Sequence, residues 1–167
     1  MYGSIVVGTD GSDTASRAVD AAARLAGGFG ARLHVVSAYR SAPVVLAGAG
    51  MAPLGAAGTL QGAADLAEEA TKLLEGIAAG LRDGGIDVET HAWPGEAVDA
   101  LLSVASAYGA DLIVVGSKGM AGPRRILGSV PNSISHRADT DVLIVKTTLQ
   151  TGAGHDAGRS GGEGHRS

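Results

Sequence analysis

The chain has 167 residues, 45% hydrophobic and 18% charged, which suits one domain with a buried core. Its formal charge of −4 argues against general nucleic-acid affinity, and the absence of cysteine removes disulfides, a thiol nucleophile and Cys-ligated metal centres. The opening MYGSIVVGTDGS lacks a basic segment followed by a long apolar one, and no run approaches the ~18 apolar residues of a membrane span, so a cytoplasmic protein is expected.

SIVVG, residues 4–8, reads as a buried strand broken by the turn GTDGS. Ser12 is placed to cap a helix running to about residue 26, with Ala15, Ala18, Val19, Ala22, Leu25 and Ala26 at helical spacing and GGFG as its stop. RLHVVSAY is a second strand. Residues 41–59 are rich in Ala, Gly and Pro without a period and are read as a loop. From about residue 60, Leu66, Ala70, Leu73, Leu74, Ile77 and Leu81 line one helix face, which DGG ends. IDVETHAW alternates as a third strand. PGE opens a helix with Val98, Leu101, Leu102 and Ala105 inside, closed by Gly109. DLIVVG is a fourth, wholly apolar strand. After a glycine loop, residues 129–138 form a short helix and 142–146 a fifth strand. Residues 1–148 make one folded unit, and the Gly/Ser/His-rich stretch 149–167 is expected to be a disordered tail. Strands alternating with helices, most apolar on both faces, predict an α/β, single-domain open parallel five-stranded sheet with helices on both faces.

Ligands of such sheets lie outside the carboxyl ends of the strands. Two strand ends carry unusual chemistry. One is GTDGS, with Gly8, Thr9 and Asp10. The other is VVGSKGMAGPRRILGS, residues 114–129. Residues 112–138 hold four cations (Lys118, Arg124, Arg125 and Arg137) and no acid. Gly128 and Ser129 fall where a helix should begin, and a helix N-terminus offers free N–H groups and partial positive charge to an anion. Turn glycines and solvated loop cations read equally well from these residues. The sequence has neither G-x-x-x-x-G-K-[ST] nor a G-x-G-x-x-G after its first strand, so it is neither a P-loop nor a dinucleotide fingerprint. Asp10 at a strand end is the better placed carboxylate for a ligand or its metal, whereas Asp13 suits the first turn of a helix. No Ser/His/Asp or Cys/His set is apparent. His34 reads as a packed imidazole, His91 as exposed, His136 as a partner for a helix C-terminus, and Trp93 as a packing residue. His155 and His165 lie in the tail, ten residues apart, with no fixed geometry for a metal.

IVVGTDGS, ADLIVVGSKG and the spacing G-x-x-G followed by G-S-V, a short helix and VLIV together resemble the universal stress protein family. The variant GSKGMAGPRRILGSVPNSISHRA is similar to its actinobacterial-type members, and the likeness spans residues 5–148. The resemblance implies the sheet order 3-2-1-4-5 of Rossmann-like, adenine nucleotide alpha hydrolase-like folds. It implies an adenine-nucleotide site with Gly8, Thr9 and Asp10 at the first strand's end and Ala38 at the second strand's end. Gly116, Lys118, Gly119, Gly128, Ser129 and Val130 would follow ribose and phosphates, with Arg124 and Arg125 beside them. The ligand implied is ATP, with Mg2+ at Asp10. The family's ATP pattern has nine residues between its second and third glycines; here eight separate Gly119 from Gly128, Pro123 among them, which admits AMP or cyclic AMP. The resemblance also implies a homodimer through the fifth strand, at Val142, Leu143, Ile144 and Val145. The expected function is that of a nucleotide-binding regulatory protein of the stress response with an unknown protein partner. The alternatives are a slow ATP hydrolase or a nucleotide-free dimeric scaffold.

Overall fold

The computed structural model describes residues 1–40, 56–117 and 128–147. In chain order the elements are β1 (Ser4–Gly8), α1 (Asp13–Phe29), β2 (Arg32–Tyr39), α2 (Ala56–Asp83), β3 (Val88–Pro94), α3 (Ala97–Ala107), β4 (Leu112–Gly116), α4 (Ser129–Arg137) and β5 (Asp141–Val145). The strands form one parallel sheet in the order β3-β2-β1-β4-β5, as the resemblance implied.

Alternation along the strands builds two cores. Ile5 and Val7 of β1 face α1 and α2, together with Leu33, Val35, Leu112 and Val114. Val6 faces the other way, joining Val36, Ile113 and Val115 under α3 and Ile134 of α4. The small residues Ala18, Ala22 and Ala26 bring α1 close to the sheet, which is what the alanine-rich composition is for. At the amino ends, the Asp111 carboxylate accepts from Gly3 N (2.7 Å) and Ser4 N (3.0 Å) and ties the approach to β4 onto β1. These two bonds hold its pKa below the ordinary carboxylate value.

Three sequence expectations need correction. α1 does not stop at GGFG; it runs through Gly27 and Gly28 to Phe29, and Gly30 ends it with φ 67°. Packing outweighs glycine's weak helix propensity there, since a Cβ on Gly27 would lie 3.2 Å from Ile86 Cδ1 and the Phe29 ring meets Tyr2 edge-on at 5.4 Å. α2 begins at Ala56, inside the stretch 41–59 read as loop; residues 41–55 lie outside the described residues. Its Ala70, Leu74 and Ala78 are buried, but Leu66 is 40% exposed. The reason is length. Twenty-eight helical residues span about 42 Å, against about 26 Å for the eight of β2. Leu73 already abuts Gly11 beyond the carboxyl end of β1, so the turns before it run past the sheet. Finally, His91 is half-buried and faces His34, its Nε2 3.1 Å from His34 Nδ1. Desolvation lowers both imidazole pKa values, and a charged His91 beside it lowers that of His34 further. The expected tail, 149–167, with His155 and His165, lies outside the described residues.

Candidate functional site

The order reverses between β1 and β4, so the carboxyl ends of these two strands flank the topological switch point. Beyond β1 the chain is held by its own polar groups. Thr9 N donates to Val36 O (2.9 Å), carrying the β1–β2 pairing one residue past the strand. Thr9 Oγ1 accepts from Gly11 N (3.2 Å), and Gly11 turns the chain with φ 76°. Asp10 Oδ1 accepts from Ser12 N (3.1 Å) and Ser12 Oγ (2.5 Å). Ser12 Oγ in turn accepts from Ala15 N (3.3 Å), so Ser12 caps α1 as its sequence position predicts.

Beyond β4, Ser117 N donates to Val145 O (2.8 Å) and Ser117 Oγ accepts from Thr147 N (3.0 Å), both residues being buried. This latch fixes where the glycine loop leaves the sheet. The loop's Lys118, Gly119, Arg124 and Arg125 lie outside the described residues. The chain is described again at Gly128, the N-cap of α4, which makes no side-chain capping bond. Ser129 and Val130 therefore present first-turn N–H groups that have no intrahelical acceptor. Pro131 stands in the same turn, where the N–H it lacks would also have had no intrahelical partner.

These pieces enclose a cleft of about 260 Å³. Gly8, Thr9, Asp10 and Ala38 line it from β1 and β2, and Gly116, Gly128, Ser129 and Val130 from β4 and α4. Every described residue singled out for nucleotide contact from the sequence thus borders one space. Sequence reasoning missed its apolar walls, Val36, Leu101 and Val115, and the polar Ser12 and Thr14. Ser12 was visible in GTDGS. The walls were not, because they were legible only as core residues. Ala97, which opens α3, also lines the cleft, so the N-termini of α1, α3 and α4 converge on it. Of the three, α1 is capped by Ser12 and carries Asp13, and α3 has Glu96 as its N-cap and carries Asp99. By contrast α4 has neither a side-chain cap nor an acid in its first turn and so is the end best suited to an anion.

A second hollow of about 390 Å³ adjoins it between α3 and α4 and shares Ala38, Ala97, Ser129 and Val130. Its cations are already paired. Arg40 donates to Glu96 (2.9 Å) and Arg137 to Asp99 (2.8 Å), so Arg137, one of the four cations of residues 112–138 and in the last turn of α4, is held by an acid. Of the two acids considered for Mg2+, Asp10 lines the cleft and Asp13 caps the dipole in the first turn of α1. A Mg2+ that keeps its waters and rides on nucleotide phosphates asks for one or two protein carboxylates, a requirement that Asp10 fits. At the far edge of the sheet, β5 carries Val142, Leu143, Ile144 and Val145, with Leu143 37% exposed.

A doubly wound α/β domain with a cleft at its switch point belongs to the broad class of Rossmann-like folds. The comparisons narrow this to one family. The profile of the universal stress protein family matches residues 1–146. Universal stress protein Rv1636 of Mycobacterium tuberculosis is 40% identical over 154 residues, covering 88% of this chain and 98% of its own. Universal stress protein YxiE of Bacillus subtilis is 33% identical over 150 residues, covering 87% and 100%. A universal stress protein whose crystal structure was solved in complex with cAMP is 34% identical with a TM-score of 0.67, covering 88% of this chain and 99% of that one. The chain belongs to the universal stress protein family. Among the described residues, no helix is long and apolar enough to cross a membrane.

Proposed function

We propose that this protein is an adenine-nucleotide-binding regulatory protein of the stress response, taking ATP, AMP or cyclic AMP in the cleft between β1, β2, β4 and the start of α4. The observation that carries the reading is the meeting of the GTDGS turn with the Gly128–Ser129–Val130 helix start across one cleft of about 260 Å³. The phosphates lie on the N–H groups of Ser129 and Val130, and the adenosine lies toward Thr9, Asp10 and Ala38 among apolar walls. Lys118, Arg124 and Arg125 supply the positive charge that the resemblance assigns to phosphate binding. A nucleotide-borne Mg2+ meets Asp10. The relative solved with cAMP supports the ligand class. Asp10 accepts hydrogen bonds from Ser12 N and Ser12 Oγ at the mouth of the cleft. The functional unit is a homodimer paired through β5, which removes an apolar open edge.

The test is thermal unfolding with ATP, AMP, cyclic AMP and GTP, each with and without Mg2+. A nucleotide that binds only the folded chain at ~100 times its Kd adds about 2.7 kcal/mol of stability. A raised midpoint with an adenine nucleotide and none with GTP is the expected result. No shift with any of the four, in protein shown to be nucleotide-free, overturns the reading in favour of a nucleotide-free scaffold.

A further inference from the structure

At the other end of the sheet, a polar cluster sits where the cores are otherwise apolar. His34 of β2 pairs in register with Glu89 of β3, and His91 follows Glu89 by two residues, so all three side chains share the α3 face. His34 is only 1% exposed. Its Nδ1 is 3.1 Å from His91 Nε2 and 3.9 Å from Glu89 Oε2, and one donor atom from each residue falls within 4.8 Å of the others. Tyr108, at the end of α3, packs over both rings at 4.5 and 4.9 Å and hydrogen-bonds Glu89.

We propose that His34 Nδ1, His91 Nε2 and the Glu89 carboxylate form a binding site for a divalent transition metal of the Zn2+ type. Tetrahedral ligands at 2.0–2.1 Å from zinc stand about 3.3 Å apart, and the 3.1 and 3.9 Å separations bracket that distance. Two imidazoles and one carboxylate are a borderline donor set, suited to zinc rather than to Mg2+ or Ca2+. Three protein ligands leave a fourth position for solvent, and the half-exposed Glu89 side chain gives the entry path. Tyr108 orients the carboxylate from outside, as supporting groups of metal sites do. Arg32, the nearest cation on the same strand, is matched by Asp87 at 2.8 Å, so it does not cancel the site's negative charge. A hydrogen bond between neutral imidazoles accounts for the 3.1 Å contact, and strand register with the Tyr108 hydrogen bond places the carboxylate; the metal proposal rests on all three donors converging. The site shares no residue with the nucleotide cleft but borders it: His91 pairs in register with Val36, a cleft wall that lies about 7 Å along β2 from His34.

The experiment titrates the full chain, stripped with EDTA and desalted, with ZnCl2 by calorimetry and with CoCl2 by visible absorption. His155 and His165 are competing donors, so the His155→Ala/His165→Ala variant is titrated in parallel. One ion per chain in both proteins is expected, with the cobalt bands of a four-coordinate site. His91→Ala and Glu89→Gln should each weaken it by more than about tenfold, the loss that removing even a supporting group causes. Glu89 is half-exposed, so Glu89→Gln keeps the test valid even where His91→Ala disturbs packing. No binding by the wild type, binding indifferent to both Glu89→Gln and His91→Ala, or binding lost in the tail variant overturns the proposal.

Discussion

Ser129→Ala separates a phosphate-binding helix start from a merely well-formed one. Ser129 is the first residue of α4 and is exposed, and among the described residues its hydroxyl makes no hydrogen bond. Removing that hydroxyl should therefore leave stability within about 0.5 kcal/mol, as for other surface positions. A hydrogen bond to a charged phosphate is worth about 1.5–3 kcal/mol, so its loss raises Kd by about 10- to 150-fold. The backbone N–H groups of Ser129 and Val130 survive the change, and some affinity should remain. Gly128→Ala asks the same question differently. With φ −58° and ψ 159° the backbone at Gly128 is one that alanine adopts freely, so the added methyl tests close approach of the ligand and not strain. Calorimetric titration with ATP, AMP and cyclic AMP gives Kd for each variant, and the unfolding midpoint checks the fold. If the wild type binds and both variants bind within about twofold of it, the α4 start is not the phosphate contact and the reasoning from the helix end is refuted.

Two further outcomes follow from single contacts. Leu143→Arg, on the exposed face of the edge strand, should convert a dimer into a monomer in sedimentation velocity; a dimer that persists would remove β5 from the interface. Asp111→Asn should destabilise the fold at pH 7 in urea unfolding, because it weakens the two bonds from Gly3 and Ser4. The folded pKa of Asp111 lies below its ordinary 3.8, so the carboxylate's contribution is complete above that value and is lost as pH falls through the folded one. The gap between variant and wild type should thus close in acid, and a gap unchanged down to about pH 2 would assign it to something other than the ionised carboxylate.

The sheet was legible because its strands are short apolar runs separated by helical patterns. β1, β2 and α3 fall where periodicity places them, and so does the Ser12 cap. Helix ends were less legible. GGFG looks like a stop, and only the contact of Gly27 with Ile86 and of Phe29 with Tyr2 explains why α1 continues. Leu66 belongs to the periodic stripe of α2, yet periodicity says nothing about where the sheet beneath it ends. His34, Glu89 and His91 were invisible as a group for a different reason. Strand register decides their meeting, and β2 and β3 are separated in sequence by a 28-residue helix whose length does not encode it.

The glycines of the motif do not all say the same thing. A Cβ on Gly8 would lie 3.3 Å from the terminal carbons of the buried Leu101, and one on Gly116 would lie 3.1 Å from Thr147 Cγ2. Packing of α3 on β1, and the Ser117–Thr147 latch beside β4, therefore account for these two positions without any ligand. Their presence in a sequence pattern is evidence for the fold first. Gly128 carries a different kind of information. It has an ordinary extended backbone and leaves α4 without a side-chain cap, at a helix start that faces the cleft. A serine or aspartate there would cap the helix from within and occupy donors that a phosphate could use. Leaving them open costs helix stability, and an anion bound at this turn would restore what the missing cap withholds. The case for a nucleotide thus rests less on the glycines of the strand ends than on the uncapped turn at Gly128.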